Sequence, residues 1–161
     1  MADHDHGVGA AGSLVLGGWD REAVRAHGEE AYPHECCGFL LGRGEGDRKQ
    51  VARVVRAANE RSDSAENRYL ISPEAYLRAE REASRAGLDI VGFYHSHPEA
   101  EARPSEFDRT HALPWCSYVI VSVKGGKARE LTSWVLSEDY SRFLPEPIAD
   151  PAPGAAEEKG A

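Results

Sequence analysis

Apolar and polar positions along this chain fall into blocks whose period switches between that of a strand and that of a helix. Residues 14–16 are a short apolar run, read as a strand. Asp20 stands where an N-cap belongs, for a helix that runs to about Ala31 and is stopped by Pro33. Residues 37–41 and 50–57 read as two strands joined by a Gly/Asp/Lys turn over 42–49, which predicts a hairpin. Residues 58–70 are polar and loop-like. Ser72 is placed to cap a helix with Pro73 in its first position; Tyr76, Ala79, Ala83 and Ala86 then recur at helical spacing until Gly87. Residues 88–94 are apolar on both faces apart from Asp89, the pattern of a strand buried in mid-sheet. A short helix over 105–113 follows. Strands over 117–123 and 128–136 flank Lys124-Gly125-Gly126-Lys127 as a second hairpin, and a last short helix is expected near 138–143.

This order predicts an α/β or α+β fold, and 161 residues suit one domain with a sizeable core. The ends read differently. Residues 1–12 are small and polar, with His4 and His6 alternating with aspartates, and are expected to be a disordered tail. Residues 145–161 are rich in Pro, Ala and Glu, a composition with too little apolar surface to offset ordering entropy, and are expected to be a second tail. Trp19, Trp115 and Trp134 are assigned to the core or its rim by their size.

The expected central strand ends on chemistry. His95-Ser96-His97-Pro98 places two imidazoles two residues apart, on the same side of an extended backbone, at the sheet's edge. Asp108 lies eleven residues beyond His97, past a Pro/Glu-rich loop, where Ser105 would cap a short helix. Two imidazoles and a carboxylate are the ligand set of a catalytic zinc that keeps its fourth position open for water. Ser96 alternates away from the histidines and is given at most a supporting place behind them.

His95-Ser96-His97-Pro98, a six-residue spacer and Ser105-Glu106-Phe107-Asp108, with His34-Glu35-Cys36-Cys37-Gly38 upstream, together resemble the signature of the JAMM metalloproteases, the MPN-plus domain. The resemblance covers residues 13–144. It implies a single MPN-type domain, a curled mixed β-sheet flanked by helices. It implies one Zn2+ per chain on His95, His97 and Asp108, Glu35 as the acid–base residue, and Ser105 as a hydroxyl donor to the oxyanion. The reaction implied is hydrolysis of a peptide or isopeptide bond without a covalent intermediate. Length and the wording around Glu35 are nearest to small prokaryotic members, several of which process ubiquitin-like sulfur-carrier proteins. The implied partner is therefore a ubiquitin-like or sulfur-carrier protein with a C-terminal Gly-Gly, whose bare backbone suits a narrow cleft. The loops over 59–68 and 99–103 are expected to clamp that tail, and a homodimer is compatible with the resemblance. Two other classes share features of the motif: a RadC-like metalloprotein, for which only about a dozen residues precede the domain, and a non-catalytic MPN-type binding module with structural or vestigial zinc.

Charge narrows the partners. The formal net charge is −8, but the two expected tails carry five of those charges, leaving the body near −3. No cluster of Lys and Arg forms a face for a phosphate backbone, so a nucleic-acid partner is not expected. The arginines between Arg78 and Arg85 alternate with glutamates, as on a solvated helix face. Three cysteines, two of them adjacent, make no disulfide framework; Cys36 and Cys37 are read as small buried strand residues, and the odd count suits a reducing cytoplasm. No run approaches the roughly 18 apolar residues of a membrane span.

Overall fold

A computed structural model of the chain describes residues 12–60 and 69–153. Strand β1 is Ser13–Val15, helix α1 Gly18–Ala31, strands β2 Cys37–Glu45 and β3 Arg48–Ala57, and helix α2 Pro73–Arg85. Strand β4 is Asp89–Pro98, helix α3 Glu106–Thr110, and strands β5 Ser117–Lys124, β6 Lys127–Leu136, β7 Phe143–Glu146 and β8 Ile148–Ala149 complete the order. The strands form one mixed eight-stranded sheet in the order β7-β6-β5-β4-β2-β3-β1-β8. Its two outermost strands, β7 and β8, are separated in the chain by Pro147 alone. The sheet must therefore curl until its edges nearly meet. Lys49 of β3 reaches Glu146 of β7 at 3.5 Å, and the buried Glu146 carboxylate also accepts from Ser117 Oγ (2.7 Å) and Ser133 Oγ (2.8 Å). This is the curled mixed sheet flanked by helices that the resemblance implies, in a single domain.

Each face of the sheet has its own core. On one, α1 packs through Val24 onto Leu16, Leu40, Tyr94, Val119 and Val121; on the other, the small residues Ala75, Ala79 and Ala83 of α2 let it settle on Phe39, Leu41, Ile90 and Phe93. Ser72 Oγ accepts from Ala75 N–H and Pro73 opens α2, as the sequence predicts, and Gly87 follows its end with φ +69°. Gly125 and Gly126, with φ of +58° and +79°, form the two-residue turn between β5 and β6. Among the described residues no helix is long and apolar enough to cross a membrane.

Several expectations are corrected. Helix α1 begins before Asp20, with Gly17 at its N-cap, and Asp20 sits buried in the first turn, where its charge suits the helix's positive end. The expected turn over 42–49 shrinks to Gly46 and Asp47, because β2 and β3 continue as an exposed ribbon pairing Arg43 with Gln50 and Glu45 with Arg48. The expected helix over 105–113 is confined to Glu106–Thr110. No helix forms over 138–143. Asp139 there accepts from Ser137 Oγ, Ser141 N–H and Ser141 Oγ, a local bonding pattern that competes with a helix, and Phe143–Glu146 pairs with β6. Part of the stretch expected to be a tail, through Ala149, thus belongs to the sheet; residues 1–11, with His4 and His6, and 154–161 lie outside the described residues. Trp19 is 63% and Trp115 58% exposed, so neither is core; Trp134 is half-buried and donates its indole N–H to Thr132 Oγ1.

His27 of α1 meets the buried Tyr94 hydroxyl at 2.8 Å. Burial, helped by the Arg56 charge, lowers its pKa from 6.5 to about 4. Below about 6.5 the unfolded chain takes up a proton that the folded chain refuses, so this residue's contribution to stability falls as pH drops from about 6.5 through about 4. His27→Gln, which keeps an acceptor but does not titrate, should give a flatter profile of urea midpoint against pH in that window. Superimposable profiles for the two proteins would exclude His27 as the source.

Candidate metal centre

The site is built around β4. The strand continues through His95 and His97 to Pro98, instead of ending at Tyr94, because β5 pairs with it in parallel to the last residue: His95 lies opposite Ile120 and His97 opposite Ser122. On its other side the antiparallel ladder with β2 ends at the pair Cys37–His95. Alternation then turns Ser96 to the α1 face and both histidines to the other.

Glu35 lies two residues before β2, and its backbone is held from two directions. Cys36 N–H donates to Ser96 Oγ (2.8 Å), Ser96 N–H donates to the Cys36 carbonyl (3.2 Å), and Asn59 Nδ2 donates to the Glu35 carbonyl (3.1 Å). Gly38 pairs with Tyr94, and a Cβ on it would lie 2.2 Å from the Tyr94 ring, so only glycine leaves room for the aromatic that precedes His95.

Asp108 arrives on α3. Ser105 Oγ accepts from Asp108 N–H (3.1 Å), and Ser105 N–H donates to Asp108 Oδ2 (2.7 Å), the reciprocal capping box. That same Oδ2 lies 3.3 Å from His95 Nε2 and 3.4 Å from His97 Nε2, and the two Nε2 atoms are 3.1 Å apart. A carboxylate oxygen of Glu35 and donor nitrogens of both histidines all lie within 4.8 Å of one another. The sequence-predicted residues Glu35, His95, His97, Ser105 and Asp108 are thus brought together at one place.

The donor set fits a tetrahedral ion. With metal–ligand distances of about 2.0–2.1 Å, a tetrahedron has edges of about 3.3 Å, close to the three separations found. The His97 tautomer also suits an ion. His97 Nδ1 lies 2.9 Å from the Glu101 carbonyl, which can only accept, so Nδ1 carries the proton and Nε2 offers its lone pair. Burial pushes the His95 pKa down, towards the neutral ring. Burial opposes the Asp108 carboxylate, but the two imidazoles and the Ser105 N–H outweigh it and hold its pKa well below the usual range. For His97 burial is likewise outweighed, by Asp108 and the Glu101 carbonyl, and its pKa is raised. Among the described residues, the buried His95 Nδ1 has no hydrogen-bond partner; the ring is stacked instead on Tyr69, with centroids 4.7 Å apart.

Asn59 and Tyr69 are site residues that sequence reasoning did not single out. Their only signal was position, at the two ends of the polar stretch over 58–70; residues 61–68 of the clamp expected there lie outside the described residues. In the loop over 99–103, Glu101 serves His97 through its carbonyl. Cys36, Cys37 and Cys116 are buried free thiols, and burial raises their pKa to about 11, 12 and 12.

Residues 20–137 match the family described as prokaryotic homologs of the JAB domain. The chain belongs to that family. It is a JAMM-type hydrolase, as the resemblance implies. A desampylase of Haloferax volcanii is 39% identical over 113 residues, 66% of this chain and 76% of that protein. A probable TtuB-protein conjugate cleaving protease of Thermus thermophilus is 36% identical over 107 residues, 66% of this chain and 68% of that protein. The solution structure of protein DSY2949 from Desulfitobacterium hafniense superposes with a TM-score of 0.75 at 31% identity, covering 86% of this chain and 92% of that one.

His97→Ala removes one corner of the donor triangle. Elemental analysis after dialysis should find about one zinc per wild-type chain and well below one in the variant. Full zinc retention by His97→Ala would exclude His97 as a ligand.

Proposed function

We propose that this protein is a zinc-dependent hydrolase that cuts the peptide or isopeptide bond after the C-terminal Gly-Gly of a ubiquitin-like sulfur-carrier protein, in the cytoplasm, where its thiols stay reduced. The observation that carries this reading is the convergence of His95 Nε2, His97 Nε2 and Asp108 Oδ2 at 3.1, 3.3 and 3.4 Å, with the Glu35 carboxylate beside them. The desampylase and the conjugate-cleaving protease among its relatives support the substrate class.

In this reading His95, His97 and Asp108 are the ligands. A zinc ion held there would polarise the scissile carbonyl and lower the pKa of water from about 15.7 to about 7. Glu35 takes the proton released as the new C–O bond forms and returns it to the leaving nitrogen as the C–N bond breaks, so that acid and amine leave with all atoms accounted for. Ser105 Oγ uses a lone pair on Asp108 N–H, which leaves its O–H to donate to the carbonyl oxygen as negative charge develops there. No enzyme nucleophile is needed, and the three thiols, held neutral by burial, are unsuited to be one. Two glycines on the acyl side let the substrate backbone approach the ligands without side-chain clashes.

Glu35→Gln should keep its zinc and fold and lose most turnover; an empty site in that variant would contradict the acid–base role. Ser105→Ala should lose about 10²–10³ in rate, the usual loss for one oxyanion donor. Mass spectrometry of a carrier protein extended past Gly-Gly should find cleavage directly after the second glycine, and none when Gly-Gly is changed to Ala-Val. Equal cleavage of both would remove the role of the glycines. A zinc-loaded protein that cuts no carrier would point to a binding module.

A further inference from the structure

A pocket of about 200 Å³ opens beside Asp108, and the proposed reaction leaves it without an occupant. Tyr69 and Ile71 form one wall, Phe93 and Tyr118 another, and Phe107 adjoins Asp108 itself. We propose that it receives an apolar side chain of leucine or phenylalanine size, carried by the residue that supplies the leaving amine. The preferred bond is then Gly-Gly followed by an apolar residue. This rests on the hydrolase reading above and names its leaving group.

Position assigns the pocket to the amine side. Its lining includes Asp108, and the Tyr69 ring that helps form it is stacked on His95, so an occupant lies next to the reacting bond. The two residues before that bond are glycines and have no side chain to offer. The first side chain within reach belongs to the residue after it.

Chemistry assigns the class. The lining holds a carboxylate and an imidazole: Asp108, whose Oδ2 is engaged by Ser105 N–H and faces both histidines, and His111, whose Nδ1 is taken up by Thr110 Oγ1 and the Phe107 carbonyl. The Tyr118 hydroxyl already accepts from Leu113 N–H at 2.8 Å. A charged side chain entering here would lose its hydration with little in return, whereas an apolar one gains by leaving water. The size is adequate, since a cavity of about 150 Å³ lined by apolar residues holds benzene. The walls are also preformed: Phe93 and Tyr118 stack at 5.7 Å, and Phe143 meets Tyr118 edge-on at 5.8 Å.

The test is kcat/KM of the zinc-loaded protein on carriers ending Gly-Gly-X, with X as Leu, Phe, Asp or Lys. Leu and Phe should be cut at least tenfold faster than Asp and Lys. Leu70, half-exposed on the pocket lining, allows a second arm: Leu70→Glu should narrow the Leu-over-Lys preference at least tenfold by accelerating the Lys substrate, a gain that misfolding cannot produce. Equal rates across the series would overturn the pocket assignment and leave the hydrolase reading standing. So would a Gly-Gly–lysine isopeptide cut faster than Gly-Gly-Leu, which would assign the pocket to a lysine stem. If no carrier is cut, the hydrolase reading fails, and NMR with L-phenylalaninamide decides the pocket. Shifts centred on Ile71, Tyr69 and Tyr118 that Leu70→Glu weakens support an apolar subsite, and their absence at millimolar ligand overturns it.

Discussion

Strand β4 is hydrogen-bonded on both sides, antiparallel to β2 and parallel to β5, and so cannot rotate about its own axis. Strict alternation follows from that restraint. Phe93, His95 and His97 face one layer, and Tyr94 and Ser96 face α1. A register slip of one residue would put a tyrosine and a serine where the imidazoles stand. The residues facing α1 have their own task. Tyr94 occupies the space that Gly38 leaves open, and Ser96 grips the backbone beside Glu35. One strand therefore presents two donors on one face and positions a carboxylate from the other.

The third donor comes by a different logic. Asp108 depends on a single turn of helix, and a five-residue helix has little stability of its own. The capping box compensates locally. It fixes the Asp108 side chain with the same oxygen that meets the histidines, so the rotamer that caps the helix is also the rotamer that completes the triangle. Crowding two carboxylates and two imidazoles into a desolvated space costs hydration. A cation held there would give His95, His97 and Asp108 a common partner, which would couple metal affinity to the folding of this corner of the domain.

What was legible in the sequence is what local rules govern. The Ser72–Pro73 helix start, the Gly125–Gly126 turn and the Ser105–Asp108 cap each depend on contacts within a few residues, and each could be read directly. His95 and His97 were legible because alternation needs only an extended backbone. Residues 143–149 were not: β8 pairs with β1 at the other end of the sequence, and Pro145 and Pro147 read as strand breakers although β7 pairs with the nearby β6. The exposed ribbon over 42–50 was missed for a related reason: its backbone ladder persists after its side chains leave the core, and hydrophobic periodicity detects only the core. Trp19 and Trp115 misled because size favours burial on average without deciding any single residue. Asn59 and Tyr69 act on Glu35 and His95 across the fold, and neither belongs to the motif.

The hairpin of β2 and β3 adds a mechanical consequence. Its Cys37–Ala57 pair lies at the end nearest the site, so Glu35 and Asn59, each two residues beyond that pair, leave the sheet side by side. Asn59 holds the Glu35 carbonyl and accepts from Leu70 N–H at 3.0 Å, joining the Glu35 backbone to the chain that leads into α2 and lines the pocket beside Asp108. With the Glu35 carbonyl and the Cys36 N–H both bonded, movement near Glu35 is confined to its side-chain torsions. That suits the acid–base role proposed for Glu35, which would collect a proton on one side of a breaking bond and release it on the other. A fixed backbone with free side-chain torsions would let one carboxylate serve both steps.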